Sequence, residues 1–333
     1  GLCTAFQHKW LKHGKTIVVL FFALVSFLAP SLYIRPAYQP PTPFGNRGAN
    51  FPWVPRLESG ENVTFDGSVS LTGAGINADD LNFTAGDTVP VSLDWRSVTR
   101  TERDWSVFVH LNDPVLGIPV AQRDMYISQG LRPTSLLFPP RNYPSRFDVA
   151  LSDTMIAPAT LDVVVGLYDF QTGERAKLPN GEDFVTIGSI NVVPKEGEAP
   201  NPVAVNFENT FELVGYQIEP RKAAAGQTIT VTAFWKATSN ISKDYTFFAQ
   251  FLGADTTRWA AVDLGQPTSS WQRNQIQEIK MEMNLRPDTP AGVYPLRLGV
   301  YLAENGTYEN LQRVTEDDRL TDDFIELTVI KVE

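Results

Sequence analysis

The chain is short of the residues that small exported domains use as staples. Of 333 residues one is cysteine, Cys3, so no intrachain disulfide can form and the folded part must hold by its core. Histidine is nearly as scarce. His8 and His13 precede an apolar run, which leaves His110 alone in the rest, too little for a zinc or copper cluster. Haem attachment through a cysteine pair is excluded on the same count, and no cofactor is expected. Acid is absent before Glu58, so all 38 acidic residues lie from there on, against 22 of the 28 basic ones. That body carries a net charge of −16 and repels nucleic acid and anionic lipid headgroups. Sustained helical periodicity is missing beyond residue 60, which leaves an all-β reading.

One long apolar run is present. "TIVVLFFALVSFLAPSLYI", residues 16–34, has no charged side chain over about the length a helix needs to cross a bilayer. Ile17, Val18, Leu20, Phe21, Phe22, Leu24, Phe27 and Leu28 form its apolar body. Lys9, Lys12 and Lys15 precede it with no acid, which predicts a cytoplasmic segment 1–15, a retained single-pass helix and extracytoplasmic domains beyond it. A cleaved signal peptide fits less well, because its apolar core is shorter and the nearest small-x-small site, Ala29-Pro30-Ser31, holds a proline. "RPAYQPPTPF" opens an extended proline-rich linker, 35–57.

From residue 58 the chain is duplicated. "LTGAGINADDLNFTAGDTVPVSLDWRSVTRTERDWSVFVHL" aligns with "LVGYQIEPRKAAAGQTITVTAFWKATSNISKDYTFFAQF". Gly86/Gly226, Thr88/Thr228, Trp95/Trp235, Asp104/Asp244 and Phe108/Phe248 each sit 140 residues apart. "PTS" recurs at 133–135 and 267–269, and "VGLYDFQTG" returns as "LGVYLAENG". Two homologous domains, 58–196 and 197–333, are therefore predicted, joined through "VPKEGEAPNP". Val89, Val91, Leu93 and Trp95 alternate onto one face, as do Ile229, Val231, Ala233 and Trp235. Short strands between glycine turns predict tandem two-sheet sandwiches of immunoglobulin or fibronectin type.

Candidate sites are few. Asp104 and Asp244 stand before equivalent strands and are expected to cap turns. His110 matches Gln250 and is expected as a polar side chain on a sheet surface. "TEDDRLTDD" at 315–323 lacks the spacing of an EF-hand loop and reads as a solvated loop. Asn62, Asn82, Asn240 and Asn305 fit the glycosylation pattern, in a chain rich enough in serine and threonine to produce it by chance. Trp105, Trp259 and Trp271 are the candidates for an exposed aromatic contact surface, against the alternative that they fill the core.

Ile34–Tyr38, Ala85–Thr88 with Trp95, Asp104–Leu111 and Gly166–Arg175 together resemble the C-terminal region of bacterial family-39, mannosyltransferase-like membrane glycosyltransferases. That resemblance implies a last helix followed by sandwich domains. The multi-span catalytic part of the family is absent here, so the activity does not carry over. The leading expectation is a non-enzymatic, single-pass accessory subunit that docks on an integral membrane protein complex, such as a bacterial respiratory or photosynthetic one. The alternative is a glycan-binding module or glycosyltransferase tail. A hydrolase would need two acids flanking a cleft.

Overall fold

The computed structural model describes residues 63–333, and the expected tail, anchor and proline-rich linker lie outside them. No helix among the described residues is long and apolar enough to cross a membrane. The described chain is all-β and forms two sandwiches. In the first, β1 (Val63–Phe65), β2 (Val69–Ile76), β4 (Thr88–Ser97) and β7 (Asn142–Ala150) make one sheet in the order β1-β2-β4-β7. The facing sheet runs β3-β9-β8-β5-β6, built from β3 (Asn82–Phe83), β5 (Trp105–Asp113), β6 (Ile118–Met125), β8 (Ala159–Asp169) and β9 (Phe184–Val192).

The second sandwich repeats this strand for strand. Its smaller sheet is β10 (Pro202–Phe207), β11 (Phe211–Glu219), β13 (Thr228–Ala237) and β16 (Ile276–Asn284). Its larger sheet runs β12-β19-β17-β14-β15, from β12 (Lys222–Ala223), β14 (Tyr245–Leu252), β15 (Arg258–Gln266), β17 (Gly292–Glu304) and β19 (Ile325–Val332). A short strand, β18 (Thr307–Asn310), is added beside the end of β17. Among the described strands, only the short edge strands pair in parallel, β3 with β9 and β12 with β19.

Alternation decides which side chains meet between the sheets. Val89, Val91, Leu93 and Trp95 of β4 are fully buried, and so are Ile229, Val231, Ala233 and Trp235 of β13. Each tryptophan packs on a phenylalanine from the sheet edge: Phe65 lies 6.0 Å from Trp95, and Phe207 5.4 Å from Trp235. Burying rings of this size is the largest apolar contribution a strand can make.

The recurring "PTS" has a simple task. The Thr134 hydroxyl accepts from the Trp105 N–H and donates to the Arg103 carbonyl. Thr268 does the same with the Tyr245 N–H and the Lys243 carbonyl. Both threonines are buried, so each satisfies backbone groups that would otherwise be orphaned where β5 and β14 begin.

Between the sandwiches lies a polar junction. The Asp113 carboxylate accepts the Val115 and Leu116 N–H groups of its own turn, and its other oxygen pairs with the Arg221 guanidinium of the second sandwich. The Tyr216 hydroxyl donates to the Thr154 carbonyl at 2.6 Å. Asn201 accepts from the Ala157 N–H and donates to the Tyr216 carbonyl. Ile156, from the first sandwich, joins the core of the second. Asp113 is 1% exposed at its side chain and Arg221 15%, so removing the cation leaves a buried charge without its partner. Arg221→Ala should therefore lower unfolding free energy by about 3–5 kcal/mol, read from guanidinium denaturation; a loss within about 0.5 kcal/mol would show the pair to be idle.

Candidate functional site

In both sandwiches the larger sheet has an outer face, turned away from the core. On β14 the residues Phe247, Ala249 and Phe251 point inward and are fully buried, so Phe248 and Gln250 point out. On β17 the outward set is Arg297, Gly299 and Tyr301, and on β15 it includes Ala261 and Asp263. Phe248 pairs across the ladder with Gly299 on one side and Asp263 on the other. A β-carbon on Gly299 would overlap the Phe248 ring and sit 2.7 Å from the Asp323 carbonyl oxygen, so only glycine lets that ring lie flat on the sheet.

Around this floor is a groove of about 520 Å³. Tyr301 lies 6.3 Å from Phe248, and exposed Tyr308 of β18 meets Tyr301 edge-on at 5.7 Å. Phe324 closes one side beneath the Arg297 guanidinium, 4.2 Å from the ring centroid. Arg297 is itself bound to Glu326 at 2.6 Å. Asn310 donates to the Asp323 carboxylate, while Gln250, Arg258 and Asp263 line the remaining rim. Burial raises the Tyr301 phenol above its ordinary value, and the Asp263 charge beside it pushes the same way, so the hydroxyl stays neutral and can donate. Two arginines face two aspartates, which leaves the lining without net charge. The arrangement offers ring faces to an apolar surface and a balanced set of donors and acceptors at its edges.

The tryptophans singled out from the sequence are elsewhere. Trp105 is a correction: it is buried in the first core, 1% exposed, with Arg103 covering its ring at 5.0 Å. Trp271 is half-buried as a lid on the second core, stacked on Phe247 at 5.5 Å and edge-on to Phe211. Trp259, also half-buried, lies between Tyr294 and the Arg286 guanidinium. The last two sit at opposite ends of β14, so the three do not form one platform; indoles this large are drawn to the edges of a core that they can seal.

Asp244 accepts the Ser269 N–H at 3.0 Å, and with the Ser269 hydroxyl this holds its carboxyl below the usual range. Asp104 is exposed and has no such bond among the described residues, so Thr134 ties the turn in the first copy while Asp244 and Thr268 share that task in the second. His110 does lie on the outer face, but it is buried at 9% exposure because Phe108 packs on it at 4.6 Å. No group of three or more His, Cys, Asp or Glu is placed to hold a metal ion among the described residues.

The groove residues Phe248, Tyr301, Tyr308 and Phe324 were missed in the sequence because aromatic residues in strands read as core. A signal was there: "VGLYD" and "LGVYL" keep a glycine two residues before a tyrosine, in the middle of a strand where glycine otherwise weakens packing.

No family model and no curated protein sequence matches the chain. Among solved structures it is similar to the C-terminal domain of Wzt, with TM-score 0.28 and 12% identity over 42% of this chain and 82% of that one. The Yersinia pseudotuberculosis adhesin InvE gives TM-score 0.23 and 15% identity over 75% of this chain and 60% of the adhesin. A glycosyl hydrolase family 2 member from Bacteroides cellulosilyticus DSM 14838 gives 0.23 and 9% over 74% of this chain and 29% of that one. Likenesses this low carry no functional argument.

The Gly299 contact makes a direct prediction. Gly299→Ala should cost about 1–3 kcal/mol, because both a ring and a backbone carbonyl must move. Gly166→Ala, whose β-carbon would overlap Phe108 and meet the Asp183 carbonyl at 2.5 Å, should cost at least as much. Denaturation midpoints unchanged by either would show that the rings do not depend on the glycines.

Proposed function

We propose that the chain is a non-enzymatic, membrane-anchored recognition protein whose second sandwich binds carbohydrate in the groove over Phe248. The observation that carries this reading is the pairing of an aromatic floor with a polar rim whose charges balance. A pyranose ring has the matching surface: a face of C–H groups that packs on an aromatic ring, and an edge of hydroxyls that both donate and accept. A phosphate or nucleic-acid ligand would call for a surplus of cations, which the groove lacks. Catalysis is not part of the proposal. Asp263 lies on β15 and Asp323 just before β19, on two sides of the floor, and Asp323 is engaged by Asn310. So placed, the two carboxylates can accept hydrogen bonds from two edges of a ligand.

A second reading, docking on a membrane protein complex, is favoured by a different surface. Leu131, Leu136 and Phe138 are each about half exposed on one loop of the first sandwich, where large apolar side chains would gain from a covering partner. The resemblance to glycosyltransferase tails is compatible with both, since a tail module can hold glycan, partner or each on its own face.

The carbohydrate reading predicts binding of the full chain to an array of neutral cell-envelope oligosaccharides. Tyr308 is 74% exposed, so Tyr308→Ala leaves the fold alone and should weaken that binding roughly tenfold, about 1.4 kcal/mol. Absence of glycan binding, or binding indifferent to Tyr308→Ala, would remove the groove from consideration. The docking reading predicts a complex of fixed stoichiometry when the chain is extracted in mild detergent and its native mass measured. A particle of one chain's mass would sink it.

A further inference from the structure

The first sandwich carries a matching ring over glycine on its outer face, and there it is shut. Phe108 lies over Gly166 as Phe248 lies over Gly299, and each pair is directly opposed in the ladder. Asp124 stands across from Phe108 as Asp263 stands across from Phe248. Tyr168 is 6.3 Å from Phe108, the separation of Tyr301 from Phe248. The Asp183 and Asp323 carbonyls close on the two glycines alike.

The copies differ at Gln250, Arg297 and Ala261, where the first has His110, Val164 and Gln122, and at the position across from the tyrosine, which bears on closure. Opposite Tyr168 the chain places Arg175, and opposite Tyr301 it places Asn310. The Arg175 guanidinium reaches over the Phe108 ring, 4.7 Å from its centroid, and contacts Asp183 at 3.4 Å. Asn310 bonds Asp323, the matching carboxylate, but its side chain is too short to cover the ring. Under Arg175 and against His110, Phe108 is 2% exposed, whereas Phe248 stays open to the groove.

Beside the covered ring, polar atoms are left over. His110 Nε2 and Asp124 Oδ1 approach to 3.4 Å without the alignment of a hydrogen bond, and both are buried with no partner among the described residues. Orphaned buried groups of this kind are costly unless something completes them. Ligand hydroxyls, which donate and accept, would complete both.

We propose that the first sandwich carries a second copy of the carbohydrate site, latched by Arg175. The proposal rests on the carbohydrate reading of the groove over Phe248. The latch is a light one. Arg175 is 42% exposed at its side chain and Asp183 25%, and the contacts are one surface ion pair and one cation–π contact. Such a closure favours the shut state by roughly tenfold, and a ligand that must displace it binds roughly tenfold more weakly than at the open site.

Titration calorimetry of the full chain in detergent, with mannohexaose, xylohexaose and cellohexaose as probes, tests this. The wild type should fill one site and then a second roughly tenfold weaker. Arg175→Asn should bring the second site to the strength of the first, and Asn310→Arg should weaken the first roughly tenfold. Both positions are exposed, and thermal melts establish that each variant is folded. One site in the wild type that persists as a single site in Arg175→Asn overturns the latched copy and leaves the groove reading standing. Unchanged binding in Asn310→Arg overturns the arginine as the closing element. No binding of any probe by wild type or variants removes both readings together.

Discussion

The outer faces of both larger sheets depend on a glycine placed opposite a phenylalanine. Outward positions on a sandwich normally go to polar side chains, since one side of each sheet faces water. At 299 and 166 the missing β-carbon opens a depression, and the ring from the neighbouring strand drops into it, covering backbone that glycine leaves bare. The ring then lies along the sheet rather than standing out from it. That orientation sets the height of everything around it: Tyr301 and Arg297 flank Gly299 at two residues either way, and the carbonyl of Asp323 comes down on the same point. A flat floor with side chains at a common level is what turns a sheet surface into a groove.

Stability is supplied on the other side of the sheets. Inward alternation fills each core with aliphatic and aromatic residues, Trp95 and Trp105 in the first and Trp235 in the second, and with no disulfide available this burial has to offset chain entropy by itself. The junction contributes differently. A buried ion pair gains little over an apolar contact of the same size, because desolvation of both charges opposes their attraction. What Asp113 and Arg221 provide is selectivity: the carboxylate already holds the turn after β5, so its free oxygen accepts the guanidinium from a single direction.

How far the sequence could be read depends on this division of labour. The sandwich class and the duplication were legible because a buried face imposes strict alternation: Val89 to Trp95 and Ile229 to Trp235 can be placed by pattern alone. The groove was not legible, because composition does not say which side of a strand an aromatic residue serves. Phe247 and Phe248 are neighbours of one type, and a single-residue step puts one in the core and the other on the floor. Tryptophan misled for the opposite reason. Its bulk makes it conspicuous in a sequence, and the same bulk makes it the side chain best able to seal a core edge, as Trp271 does over Phe247. The threonines of "PTS" were visible as a repeat, but their bonds to backbone 23–31 residues earlier exist only after the loop has folded back. The anchor expected at residues 16–34 falls outside the described residues.

Duplication lets the two kinds of constraint be separated within one chain. Positions that fix the scaffold are kept in both copies: the core tryptophans, the loop-tying threonines, the glycines under the rings. Rim positions are not under the same restriction, and there the copies differ, His110 against Gln250 and Arg175 against Asn310. The ring over glycine is kept even where it is covered, which has a physical reason. Once Phe108 lies flat, the Arg175 guanidinium gains a cation–π contact above it while Asp183 holds the guanidinium edge, so the covered ring serves as packing. With Asn310 at that position no side chain spans the ring, and the same floor is left open. Rim side chains set on a common frame, Arg175 over the ring and His110 beside it, make one face a plug and leave the other a groove.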